Sequence, residues 1–178
     1  SPQLSRYIHF AVQEKKENIW IAQRQGRCKD SNDRTQESIL KMMCMGGEGS
    51  WKDRLKNLHI VPLAISYEFD PCDYLKAKEF QQKRDDANFK KGPNDDLVSM
   101  QIGIFGYKGH VHFQASACMD SWIDSLPDNL SKNDFYSAVA QHIDHAIHSN
   151  YRMYPNNYIA ADRLKESDRF ASLYTQEE

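Results

Sequence analysis

The residues best equipped for chemistry crowd into one short stretch of the chain: Arg24, Gly26, Arg27 and Lys29. They follow directly on an apolar run at residues 19–22. Glycine permits close approach of a backbone to a ligand. Arginine offers a planar fork that matches phosphate oxygens. Open α/β sheets place their ligands just beyond the carboxyl ends of strands. A strand at 18–23 delivering these residues to one mouth therefore predicts a site for an anionic group, suited to a phosphate. The competing reading is a solvated basic turn. The G-x-x-x-x-G-K-[ST] phosphate loop is absent, and no G-x-G-x-x-G follows a strand, so neither a nucleotide loop nor a dinucleotide site is supported. Cys28 sits among Arg24, Arg27 and Lys29, which would lower a thiol pKa; it is either a reactive cysteine or an incidental one in a turn.

The other candidates are histidines. His142, His145 and His148 recur every third residue, a spacing that drifts around a helix by about 60° per step. Two of them could share a metal, although the cleaner pair is i, i+4; a polar helix face explains them equally. His110 and His112 share one face of a strand and read as ligands, a base, or residues on a solvated face. His9 and Glu14 lie about 140° apart on a helix and do not form a pair. No G-x-S-x-G elbow is present, and Ser66 lacks the flanking glycines.

These residues need a scaffold to position them. A chain of 178 residues fits one domain, at 1–178. The net charge of −2 provides no general attraction to nucleic acid, so any basic site is local. The four cysteines, Cys28, Cys44, Cys72 and Cys118, form no C-x-x-C pair. That argues against a zinc knuckle or a disulfide framework, and for a reduced, cytosolic chain. No window is long and apolar enough to span a membrane, and no signal peptide is visible. There is no initiator Met, and Ser1 leads at once into an amphipathic segment; the expectation is a piece of a larger protein.

Leu4, Tyr7, Ile8, Ala11 and Val12 predict a helix at 4–15. Thr35 can cap a helix at 36–45, which Gly46, Gly47 and Gly49 would end. A short amphipathic helix at 51–58 follows. The run HIVPLAISY, residues 59–67, is apolar on both faces and predicts a central parallel strand. With the strand at 18–23 and the helix between them it makes a βαβ unit. The expected fold is therefore α/β, a partly parallel mixed sheet flanked by helices. Residues 70–97 read as a solvated helix and loop, 95–106 as a helix, and 109–114 as an edge or antiparallel strand. Residues 118–129 look like a loop. Phe135, Val139, Ile143 and Ile147 predict a helix at 131–148, opened by Ser131-x-x-Asp134. The aromatic tract 151–159 contains Pro155, and a last helix is expected at 162–174.

WIAQRQGR followed by IVPLAISYE resembles the glycerol-phosphate and lysophosphatidic acid acyltransferase family. In that family a strand ends in a Glu-Gly-x-Arg turn, and a later strand carries Val-Pro-x-x-Ile. Gly26 matches the first motif; Val61, Pro62 and Ile65 match the second. KGHVHFQ at 108–114 and IHSNYRMYPNNYIAAD at 147–162 also resemble segments of bacterial members, so the similarity touches most of the chain. There are departures. The family's Glu is Gln25 here, and its Arg falls on Cys28, flanked by Arg27 and Lys29. The family's catalytic His-x-x-x-x-Asp does not occur in these residues, which resemble the C-terminal part of such a domain.

The resemblance implies an enzyme of phospholipid biosynthesis. A fatty acyl group would pass from acyl-CoA or acyl-carrier protein to a hydroxyl of glycerol phosphate or a lysophospholipid. The base, a histidine oriented by an aspartate, would lie upstream of Ser1, leaving this chain inactive alone. Arg24, Gly26, Arg27 and Lys29 would hold the acceptor's phosphate, and Val61, Pro62 and Ile65 would shape the pocket. No metal and no cofactor beyond the acyl donor is implied. The partners would be a lipid substrate, the acyl donor and, by peripheral contact, the cytoplasmic face of a membrane, to which Trp20, Trp51, Tyr151 and Tyr154 would contribute if exposed. The alternative is a non-catalytic module that binds an anionic lipid headgroup or another phosphate ligand.

Overall fold

The computed structural model describes residues 1–22 and 34–175. They fall into two compact units, Ser1–Ala64 with Gln114–Asn150, and Ile65–Phe113 with Tyr151–Glu178.

The first unit holds nearly all of the buried apolar side chains. It contains α1 (Pro2–Gln13), α2 (Glu37–Met43), α3 (Trp51–Lys56), α6 (Asp120–Ser125) and α7 (Lys132–Ser149). Helix α7 is the spine that its sequence period predicts. Phe135, Val139, Ile143 and Ile147 are all buried, with Tyr136 and Ala140 beside them. Ser131 caps it by accepting a hydrogen bond from Asp134 N–H at 3.2 Å. Ile8 and Ala11 of α1, Leu40 and Met43 of α2, Leu55 of α3, and Met119 and Ile123 at α6 complete this core. Helix α1 is tied to the end of α2 through polar groups. The Ser5 hydroxyl donates to Met43 O at 2.7 Å and accepts from Gly46 N–H at 2.7 Å. A Cβ on Gly46 would lie 2.4 Å from Arg6 N, so only glycine permits this approach.

The second unit contains α4 (Asp73–Asp85), α5 (Asp95–Phe105), α8 (Pro155–Lys165) and a 3-10 turn at Ala171–Leu173. Neither α4 nor α5 buries a residue. The tail is fastened at Asp162 of α8, whose carboxylate accepts from Phe170 N–H at 2.8 Å, Ser167 Oγ at 2.9 Å and Tyr174 Oη at 3.1 Å. Burial acts to raise this carboxyl's pKa, but the bonds from Phe170, Ser167, Tyr174 and Arg169 outweigh it and hold the group below its ordinary value of 3.8. A depressed folded pKa adds stability above the unfolded value, and that stability is lost as pH falls through the folded one. Asp162→Asn is therefore expected to lower the urea midpoint at neutral pH and to flatten its fall below about pH 4. Parallel midpoint-versus-pH curves for the two proteins would remove Asp162 as the source.

The sheet corrects the sequence reading. It has two strands, β1 (Leu63–Tyr67) and β2 (Val111–Ala115), paired with each other. Flanking bonds from Ser116 N–H to Pro62 O and from Glu68 N–H to His110 O, each 2.9 Å, make the pair antiparallel. Among the described residues there is no partly parallel mixed sheet and no βαβ unit. Residues 18–22 form no strand, and Trp20 is 66% exposed. The run at 59–67 starts late because His59 adopts φ +49°, outside the β region, and Pro62 has no N–H to give a ladder. Its two faces are also unequal. Ala64 and Ser66 are buried, Leu63 and Ile65 half-buried, and Tyr67 exposed. An apolar run does not by itself distinguish a strand covered on both faces from one covered mainly on one.

One helix replaces an expected loop: Asp120 opens α6 where 118–129 reads as loop, anchored by fully buried Ile123. The last helix, expected at 162–174, lies at Pro155–Lys165, with a 3-10 turn at Ala171–Leu173 after it; Pro155 starts it, as suits a proline at the first helical position.

Candidate functional site

Arg24, Gly26, Arg27 and Lys29, with Gln25 and Cys28, lie outside the described residues. The chain after them is held to the first unit by Thr35, whose N–H donates to Asp144 Oδ1 of α7 at 2.7 Å.

The Val-Pro-x-x-Ile motif is placed. Val61 is exposed, Pro62 buried and Ile65 half-buried within β1. Ahead of β1 the chain stays paired, since Met119 N–H donates to Ile60 O and Ser116 N–H to Pro62 O, each at 2.9 Å. The Ser66 hydroxyl is buried and accepts from Arg152 N–H at 2.9 Å, a structural use rather than a nucleophile's position.

The histidines separate. His142 is half-buried and stacks on Trp122, with ring centroids 3.8 Å apart. Burial, then the charge of His145, lowers its pKa. His145 and His148 are exposed, and the three are not gathered into a metal-holding group. His9 is buried, with Nε2 2.9 Å from Met43 O, while Glu14 is exposed at the end of α1. His110 precedes β2 and meets Glu68, whose Oε2 lies 2.7 Å from its Nδ1 and accepts its N–H at 2.8 Å. These bonds, the backbone one foremost, hold the Glu68 carboxyl below its ordinary pKa. His112 lies within β2, half-buried.

Cys44 is buried, which pushes its thiol pKa up; Cys72 is half-buried at the start of α4; Cys118 is exposed. All three are free thiols. A groove of about 310 Å³ runs beside α4 and α5, lined in part by Leu75, Glu79, Phe89 and Lys91. Of its two lining lysines, Lys78 and Lys91, the second is engaged: Lys91 Nζ meets Glu79 and Asp96, each at 3.0 Å. Of the aromatic residues named for membrane contact, Trp20 is the most exposed, Trp51 sits at the margin, Tyr151 is half-buried and Tyr154 is buried. Among the described residues no helix is long and apolar enough to cross a membrane.

One grouping escaped the sequence reading. His59, just ahead of β1, lies beside Cys118 and Asp120 at the start of α6. His59 Nδ1 is 2.6 Å from Asp120 Oδ2. The local signal, Cys-x-Asp, is short and common, and its third member becomes visible only once the 60 and 119 backbones are known to pair.

No family model matches the chain, and no curated protein or solved structure matches it.

Proposed function

We propose that this chain is the acceptor-holding portion of a glycerolipid acyltransferase. The observation that carries the reading is the order of two motifs in one chain: the basic stretch with Gly26 and Arg27, then Val61 and Pro62 just ahead of β1 and Ile65 within it. Arg24, Arg27 and Lys29 bind the acceptor's phosphate by charge and hydrogen bonds, and Gly26 lets the backbone close on it. The acceptor hydroxyl gives its proton to the histidine of a His-x-x-x-x-Asp supplied from outside these residues. The oxygen attacks the thioester carbonyl, the new C–O ester bond forms, and the C–S bond breaks, the departing sulfur taking the proton from the histidine to leave as the donor's thiol. The reaction takes place at the cytoplasmic face of a membrane, where exposed Trp20 suits interfacial contact.

The test has two parts. The encoding sequence should continue upstream of Ser1 and carry a His-x-x-x-x-Asp within several dozen residues. The longer polypeptide should release free thiol from acyl-CoA or acyl-carrier protein in the presence of glycerol 3-phosphate or lysophosphatidate, and residues 1–178 alone should not. Acyl transfer by residues 1–178 would overturn the placement of the base. A longer polypeptide without the motif and without transfer would leave only binding of an anionic headgroup.

A further inference from the structure

We propose that His59, Cys118 and Asp120 form a binding site for one divalent transition-metal ion of the zinc class, independent of the acyl-transfer reading. One ligand atom from each residue lies within 4.8 Å of the other two. Imidazole nitrogen, thiolate sulfur and carboxylate oxygen are the three donor types that zinc takes, at about 2.0–2.3 Å. Two such donors on one tetrahedral ion stand about 3.3–3.8 Å apart. Binding requires side-chain rotation from within 4.8 Å to that spacing, and His59 and Cys118 are both exposed. Three protein ligands leave a fourth position for water or another donor.

The backbone holds the donors together. Met119 N–H donates to Ile60 O at 2.9 Å. That bond joins the two segments with His59 on one side and Cys118 and Asp120 flanking Met119 on the other. Met119 is buried, so the junction is fixed in the core of the first unit, while His59 and Cys118 are exposed and Asp120 is half-buried. Among the described residues His59 is one of three non-glycine residues at positive φ. In that conformation its ring meets Asp120 instead of continuing the line of β1.

Asp120 supplies an observation that the hydrogen bond to His59 does not explain. Its second oxygen, Oδ1, is buried and has no hydrogen-bond partner. A buried acceptor without a partner is costly, and more so when charged. A cation on the carboxylate removes that cost, whereas the His59 bond at Oδ2 leaves it in place. Lys56, which interacts with Asp120 electrostatically, is engaged elsewhere, since its Nζ lies 2.7 Å from both oxygens of Asp124.

The probe is cobalt(II), which reports thiolate ligation by charge-transfer absorption, followed by competition with zinc(II). Titration of the reduced chain should show one equivalent of cobalt with a thiolate band, removed by zinc. Cys118→Ser, at an exposed position that leaves the core intact, should abolish the band. His59→Gln and Asp120→Asn should each weaken binding by about tenfold or more, and Cys72→Ser should change nothing. Zinc should also slow alkylation of Cys118. Absence of the thiolate band, its survival in Cys118→Ser, or unchanged affinity in both His59→Gln and Asp120→Asn would each overturn the site.

Discussion

Phe135→Ala is expected to lower the unfolding free energy by about 3–5 kcal/mol, the usual cost of removing a large aromatic ring from a packed core. Phe135 is 2% exposed and makes an edge contact with Tyr136, ring centroids 5.4 Å apart. It sits one turn after the cap at Ser131 on α7, in a unit where Leu40, Leu55 and Ile123 are also fully enclosed. Natural domains have only about 5–15 kcal/mol of stability in total, so the loss approaches the point of unfolding. The matched control is Phe105→Ala. Phe105 ends α5 and is 81% exposed, so the same chemical change should cost no more than about 0.5 kcal/mol. Urea unfolding followed by circular dichroism measures both. A Phe135→Ala cost under about 1 kcal/mol would mean that α7 is not the centre of the core.

The contrast between α7 and β1 shows what the sequence carried. Helix α7 announces itself because one period of apolar residues coincides with one buried face and a serine cap opens it. Helices α4 and α5 were legible as well, although neither buries a residue. The tract around β1 was not legible, because partner and direction are non-local properties. HIVPLAISY says that a strand is favourable, but not that it pairs antiparallel with residues far along the chain. The brakes at its start are a left-handed His59 and an N–H-less Pro62; only the second is visible in sequence. Helix α6 was missed because a single enclosed residue, Ile123, carries it. The group of His59, Cys118 and Asp120 was missed for the same non-local reason. Each residue alone is unremarkable, and the Ile60–Met119 bond brings them together.

If the proposed acyltransferase reading holds, Arg27→Ala in a polypeptide that performs acyl transfer is expected to raise the KM for a phosphorylated acceptor by about tenfold to a hundredfold, the factor for losing a hydrogen bond to a charged group. The donor KM and kcat should change little, because the phosphate is distant from the reacting carbonyl and is held equally in ground and transition states. Arg27→Lys should recover part of the loss: it restores the charge but not the two-pronged fork. The basic stretch differs from the family pattern it resembles, with Gln25 and Cys28 at the positions of Glu and Arg. On the proposed reading the cationic role is divided between Arg27 and Lys29, on either side of Cys28. If the two share one phosphate, Arg27→Ala with Lys29→Ala should deviate from additivity, as neighbours on one ligand do. An acceptor without a phosphate should be insensitive to all of these changes. A phosphorylated acceptor whose KM is unchanged by Arg27→Ala would remove this turn from the acceptor site, and with it the residue-level basis for the acyltransferase reading.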